Sequence, residues 1–270
     1  MMGGNDQQAY DRGTSLFSPD GRIYQVEYAR EAVSRGAPSL GVRTADGIVF
    51  VAMSRATSTL MEAESIEKLH KLDDHLGTAS AGHVADARQL IDLARRQSQG
   101  NRLRYGEPVG VETLTKFVTD HIQENTQRGG TRPYGAALLI GGIENGEPRL
   151  FAADPSGTPN EWKATVIGGG RQEIQDVLEE EWEEGLSLAE GIELGVRALA
   201  AHEEEFVPGD LAVATVTEAD GYRTVSESEV SEAFEAAGLA GDEEEDDETP
   251  ADDADADADA EDADGDGDEE

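Results

Sequence analysis

Residues 39–53 read SLGVRTADGIVFVAM, two runs of apolar and β-branched residues around Asp46-Gly47. Asp-Gly flanked in this way is a strong hairpin signal, since both residues tolerate the positive φ of a tight two-residue turn. The pattern predicts paired strands over Ser39–Ala45 and Ile48–Met53. Toward the C-terminus, two more strand-like segments follow near Ser65–Leu69 and Leu76–Ala81. The period then changes. Val84, Ala87, Leu90, Ile91 and Ala94 share one helical face over residues 84–99, and Val111, Leu114, Phe117, Val118 and Ile122 do so over 111–127.

The second half repeats this order. Tyr134–Ile143 predicts a long strand, Glu144-Asn145-Gly146 a turn, and Arg149–Ala153 the returning strand. Asp154-Pro155-Ser156-Gly157 is another turn and Pro159–Ile167 another strand. Helices are expected at 171–183 and 187–204, a hairpin at Leu211–Val216 and Tyr222–Val225, and a last helix at 227–237. Strands then helices, twice over and with antiparallel hairpins throughout, predict an α+β fold in which two sheets are sandwiched between helical layers.

Upstream of the first hairpin, residues 10–33 read YDRGTSLFSPDGRIYQVEYAREAV. Ser18-Pro19-Asp20-Gly21 has turn residues in the right order, with Pro19 setting φ. Asp20 or Ser18 is placed to cap a helix from Arg22 to Val33. Ile23, Val26, Ala29 and Val33 recur on one face of that helix, and Tyr24 and Tyr28, four apart, share a face.

Lys and Arg number 21 against 59 Asp and Glu, a formal net charge of −38. Residues 241–270 hold 19 acids and no base, so residues 1–240 still carry −38 + 19 = −19. Nucleic acid and anionic membranes are polyanions and are disfavoured as direct partners. The C-terminal run lacks aromatic and β-branched residues and predicts a disordered acidic tail over 239–270. Calcium binding by that tail is disfavoured, because alternating Asp-Ala has no glycine-turned loop. With no cysteine there is neither a disulfide nor a thiol nucleophile. The histidines show no metal-binding spacing, so neither metal nor cofactor is expected. Gly168-Gly169-Gly170 lacks the Lys-Ser/Thr of a phosphate cradle and predicts a strand-to-helix loop. MMGGNDQQ resembles no leader, and no run reaches the roughly 18 apolar residues of a membrane span. A soluble cytoplasmic protein is expected.

The stretch 10–33 closely resembles the signature that opens α-type subunits of the proteasome core particle. Ser65-Ile66-Glu67-Lys68, Ala85-Asp86-Ala87-Arg88, Arg132-Pro133-Tyr134-Gly135 and Asp154-Pro155-Ser156-Gly157 resemble further landmarks of the same subunits. The resemblance covers roughly residues 8–235. It implies a four-layer αββα sandwich of the N-terminal-nucleophile hydrolase type, with a gate segment over 1–12 and the α-type domain over 13–238. The few lysines (Lys68, Lys71, Lys116 and Lys163) and the acidity resemble proteins of salt-loving archaea.

Such subunits form seven-membered rings over β rings that carry the threonine proteases, and they gate the entry of unfolded proteins. By this resemblance Tyr10, Asp11, Arg12, Pro19 and Tyr28 form the gate. Lys68 is the lysine that pairs with the terminal carboxylate of an activating AAA ATPase, and Gly36 and Gly82 are small residues lining its pocket. His83 departs from the apolar residue expected beside Gly82. Two alternatives stay open. A catalytic β-type subunit needs an N-terminal threonine released by cleavage after glycine. Here that point reads Arg35-Gly36-Ala37-Pro38-Ser39, with no nucleophile at Ala37, and Gly13-Thr14 is the only other cleavable-looking pair near the front. The second alternative is a ring-forming scaffold unrelated to proteolysis.

Overall fold

The hairpin read from residues 39–53 forms the middle of a sheet. β1 (Ser39–Arg43) and β2 (Gly47–Met53) pair antiparallel, with Ser39 opposite Ala52 and Arg43 opposite Ile48. Residues 23–56, 58–127, 131–203 and 205–239 are described by the structure, a computed structural model. The chain divides into the units Met1–Ala240 and Gly241–Glu270, and the described residues lie in the first.

The remaining elements follow in chain order. Helix α1 (Tyr24–Ser34) precedes the hairpin, and β3 (Leu69–Asp73), β4 (Leu76–Gly82), α2 (Val84–Tyr105) and α3 (Val111–Gln127) complete the first half. The second half is β5 (Ala136–Glu144), β6 (Glu147–Ala153), β7 (Pro159–Glu161), β8 (Ala164–Ile167), α4 (Arg171–Glu181), α5 (Leu188–Ala200), β9 (Leu211–Thr217), β10 (Gly221–Thr224) and α6 (Glu227–Ala236). One sheet has the order β10-β9-β2-β1-β8 and the other β3-β4-β5-β6-β7. Every pairing is antiparallel.

Three apolar clusters show how the layers stack. Ile48, Phe50 and Val216 of the first sheet meet Ala79, Leu139 and Leu150 of the second between the sheets. Leu40, Val42, Val49 and Val51 point the other way, onto Ile174, Leu194, Val196 and Phe234 of α4, α5 and α6. Leu138 and Ile140 face Leu90, Ile91, Leu114 and Val118 of α2 and α3. The result is the four-layer αββα sandwich. A residue such as Phe50, fully buried between the sheets, contributes about 2–3 kcal/mol through its apolar area.

Several local expectations need correction. The strand expected near Ser65–Leu69 lies at Leu69–Asp73, preceded by a 3-10 turn at Ala63–Ser65 whose Ser65 Oγ donates to Glu62 O at 2.6 Å. The single strand expected over Pro159–Ile167 is two strands in different sheets. Trp162 N still donates to Leu150 O of β6, whereas Lys163 O already accepts from Arg43 N of β1, so the chain changes sheet between these residues. Helix α2 runs past residue 99 to Tyr105, where Gly106 closes it at φ 75°. Val26, Ala29 and Val33 of α1 are buried as expected. Its capping position, however, is Ile23, which has no side-chain acceptor, and Ser18 and Asp20 lie outside the described residues. The capping boxes that do form are Ser187 with Glu190 on α5 and Ser226 with Glu229 on α6.

Candidate functional site

The loop from α1 into β1 runs past the end of β4 and the start of α2, and a cleft of about 340 Å³ opens there. Gly36, Lys68 and Gly82, which the resemblance placed in one pocket, all line it. Their backbones are fixed by neighbouring strands. Ser80 N of β4 donates to Lys68 O at 3.0 Å, which extends the β3–β4 ladder to the lysine. A Cβ on Gly36 would lie 2.6 Å from Gly82 N, so the two glycines let the α1–β1 loop rest directly on the end of β4. Gly82 also has φ +98°, a conformation that side chains disfavour.

Lys68 Nζ donates to Ala37 O at 2.6 Å and Pro38 O at 2.9 Å. Among the described residues no carboxylate lies within ion-pair distance of it. Burial without a counter-charge lowers its pKa from 10.5 to about 7. Two of the three ammonium donors are used and one is left over. Met53, Met61, Ile66, Ala81, Val84 and Ala87 give the cleft apolar walls. His83 is exposed and does not line it, so its polarity costs the cleft nothing. The carbonyls that bind Lys68 belong to the two residues before β1, where a β-type chain would need its nucleophile. Ser39, the nearest hydroxyl, is fully buried and donates to Ser80 O at 2.9 Å.

Of the expected gate residues only Tyr28 falls among those described. Tyr10, Asp11, Arg12 and Pro19 lie outside the described residues, as does Thr14. Tyr28 is 45 % exposed on α1 and stacks on Tyr24, with ring centroids 6.4 Å apart and planes 19° apart.

Besides the cleft-lining Ser65–Lys68, the three other short motifs form joints. Asp86 at the start of α2 is buried and accepts two hydrogen bonds from Arg132 and one from Gly135 N at 2.8 Å. Burial pushes its pKa up, but these bonds outweigh that and hold it below the usual carboxylate range. Asp154 accepts from Arg30 Nε at 3.1 Å and Nη2 at 2.8 Å, which ties α1 to the turn after β6. Its pKa is likewise lowered, with the bonds from Ser156 and Arg30 overcoming burial. The sequence marked these segments but not their pairing, because each joint links residues far apart in the chain. Arg55, also lining the cleft, carried no sequence signal beyond being a base in an acidic chain. Among the described residues no group of three acids or histidines could hold a metal ion. None of the described helices is long and apolar enough to cross a membrane.

Comparison with known families bears on both the fold and residues 10–33. The family described as proteasome subunit matches residues 33–216, and the N-terminal signature of A-type proteasome subunits matches residues 10–32. The chain is a member of the proteasome subunit family, of the α type. It is 64 % identical to proteasome subunit alpha 2 of Haloferax volcanii over 92 % of this chain and 99 % of that one. Proteasome subunit alpha 1 of Haloarcula marismortui is 60 % identical, over 94 % and 99 % of the two chains. The proteasome subunit alpha of Natronomonas pharaonis is 57 % identical, over 92 % and 98 %. The α-type reading is therefore right, and so is the halophilic character read from the acidity. Proteasome α subunits are the non-catalytic ring subunits, and proteolysis resides in β subunits. The αββα layers are those of the family's N-terminal-nucleophile hydrolase type.

Proposed function

We propose that this α-ring subunit controls entry to the proteasome and docks its activator. Seven copies form the outer ring, stack on β subunits and admit unfolded proteins. The C-terminal tails of an activating AAA ATPase insert at the cleft of Lys68, Gly36 and Gly82. The segment with Tyr10, Asp11, Arg12 and Pro19 is the moving gate, and Tyr28 on α1 is its fixed contact. The cytoplasm is its place of work.

The observation that carries this reading is the state of Lys68. An ammonium in an apolar-walled cleft, held by carbonyl oxygens and with a donor left over, is arranged to receive a carboxylate from outside. Replacing Lys68 by Ala should abolish ATPase-stimulated degradation of an unfolded protein. Ring assembly, measured by native mass, and small-peptide hydrolysis by the β subunits should persist. Undiminished stimulation in the variant would remove the docking assignment.

A further inference from the structure

In the proposed ring of seven identical copies no patch can meet itself, so each contact joins two different surfaces of the chain. Two such surfaces stand at opposite edges of the sandwich. One is the loop between β2 and β3, where Leu60 is 93 % exposed and Met61 beside it 42 % exposed. That loop leads into β3, an edge strand of the second sheet. With nearly all its surface in water, Leu60 adds no apolar burial to the fold of the single subunit.

The other surface is a pocket of about 370 Å³ between α1 and the opposite edge strands, β7 and β8. Val33 of α1, Ala152 of β6, Trp162, and Val166 and Ile167 of β8 are among its walls. Strands lie about 4.8 Å apart, so five of them put roughly 19 Å between the edges of a sheet, and Leu60 lies outside the pocket of its own chain. The unpaired charges of the two surfaces are opposite in sign. Residues 58–64 carry Glu62 and Glu64 and no base. At the pocket, Arg30 is paired with Glu27 and Asp154, and Glu31 with Arg35. Arg171 is exposed there, and among the described residues no carboxylate lies within ion-pair distance of it. In molar salt such charges act only over about 3 Å, so they can align an apolar side chain already in contact but not draw it in from afar.

We infer that Leu60 of one copy seats in the α1–β8 pocket of the next, with Glu62 beside Arg171, and that this contact closes the ring. Each copy then gives one leucine and receives one, so no pocket is left open and no leucine is left in water. This rests on the ring reading above and names the two surfaces that meet.

The chain contains no cysteine, so thiols can be placed where they are wanted. The test uses Leu60→Cys, Asn160→Cys and the double variant, each assembled with its β partners in molar KCl; Asn160 is an exposed pocket residue on β7. A short bismaleimide, which tolerates looser geometry than a disulfide, should link the double variant into a ladder of α chains that stops at seven and should leave the single variants without α–α links. Leu60→Asp should shift the native mass from ring to single subunit with an unchanged circular dichroism spectrum, because the side chain it replaces is exposed, and Leu60→Met should keep the ring. A double variant that forms rings without a ladder, α–α linkage in Leu60→Cys alone, or rings undiminished by Leu60→Asp overturns the inference while the ring reading stands. If the wild type forms no ring with its β partners, the ring reading fails and this inference fails with it.

Discussion

Raising the pH should release a carboxylate-terminated peptide from the cleft by a factor that follows from the state of Lys68. The amine has a pKa of about 7 in the free subunit because burial, with no counter-charge, disfavours the ammonium. A bound carboxylate favours the charged form, so above pH 7 binding must take up a proton and affinity falls as pH rises. The peptide carboxyl, ionised throughout, adds no dependence of its own. Between pH 6 and 8.5 the ammonium fraction falls from about 90 % to about 3 %, which is roughly 30-fold in affinity or about 2 kcal/mol. The carbonyls of Ala37 and Pro38 favour the ammonium and oppose burial, which makes this the upper end and about tenfold the lower.

Fluorescence polarisation of a fluorescent octapeptide with uncharged side chains and a free carboxyl terminus, on assembled particles at fixed salt across that range, measures the fall. Lys68→Arg keeps its charge and should give a flat profile. A flat wild-type profile, or the same fall in Lys68→Arg, refutes the reasoning. The same shift has a consequence for folding. Between about pH 7 and 10.5 the unfolded chain holds the proton that folded Lys68 has lost, so its burial penalty is full below pH 7 and is relieved across that window.

Asp86→Asn should lower stability by about 2 kcal/mol in urea unfolding, since it weakens the bonds from Arg132 and Gly135, while the exposed Arg132 remains solvated. Because the Asp86 pKa is depressed, its contribution is present above about pH 4 and is lost as pH falls through the folded value, so the variant's deficit should shrink in acid. Arg149 bridges Glu112, Glu144 and Glu161 at 2.8–3.1 Å, tying α3, β5 and β7 to β6. Arg149→Met should cost about 3 kcal/mol in thermal unfolding and more in low salt than in molar salt, where screening eases three unpaired carboxylates; a salt-independent loss contradicts this account. Gly82→Ala should cost more than about 1 kcal/mol and weaken peptide docking, because φ is +98° and the new Cβ would meet Gly135 O. The whole molecule, at −19 even without residues 241–270, should melt at lower temperature as salt is reduced from molar to millimolar, which circular dichroism would follow.

The layers were legible where apolar periodicity and turn residues agreed. The pairing of β1 with β2 and the buried faces of α2 and α3 each follow from local apolar patterns, although the connection is made over Thr44–Asp46 without the positive φ of a two-residue Asp-Gly turn. The apolar pattern places β3 too early because that strand buries His70 and Asp73, so its inward residues do not read as apolar. The change of sheet at Trp162–Lys163 was invisible for a different reason. Both halves favour extended backbone, and only distant partners, Leu150 and Arg43, decide which sheet each joins. The site divides in the same way. Lys68, Gly36 and Gly82 came from motif resemblance, and the structure brings them into one cleft. Arg55, and the bond from Arg132 to Asp86, depend on contacts between segments that no local pattern encodes.

The absence of a nucleophile and the readiness of Lys68 for a carboxylate have one structural origin. An N-terminal nucleophile must begin its strand with a free amine and a hydroxyl. Here the chain passes unbroken through Ala37 and Pro38 into β1, and what it offers the lysine is two carbonyl oxygens. Carbonyls cannot attack a peptide, but they orient an ammonium without neutralising it. They occupy two of its three donors and leave the third for another acceptor. A carboxylate arriving through the cleft therefore adds to the existing bonds and displaces none of them. The continuous backbone that removes the chemistry of a protease from this subunit is the same backbone whose carbonyls orient Lys68 and leave its third donor unused.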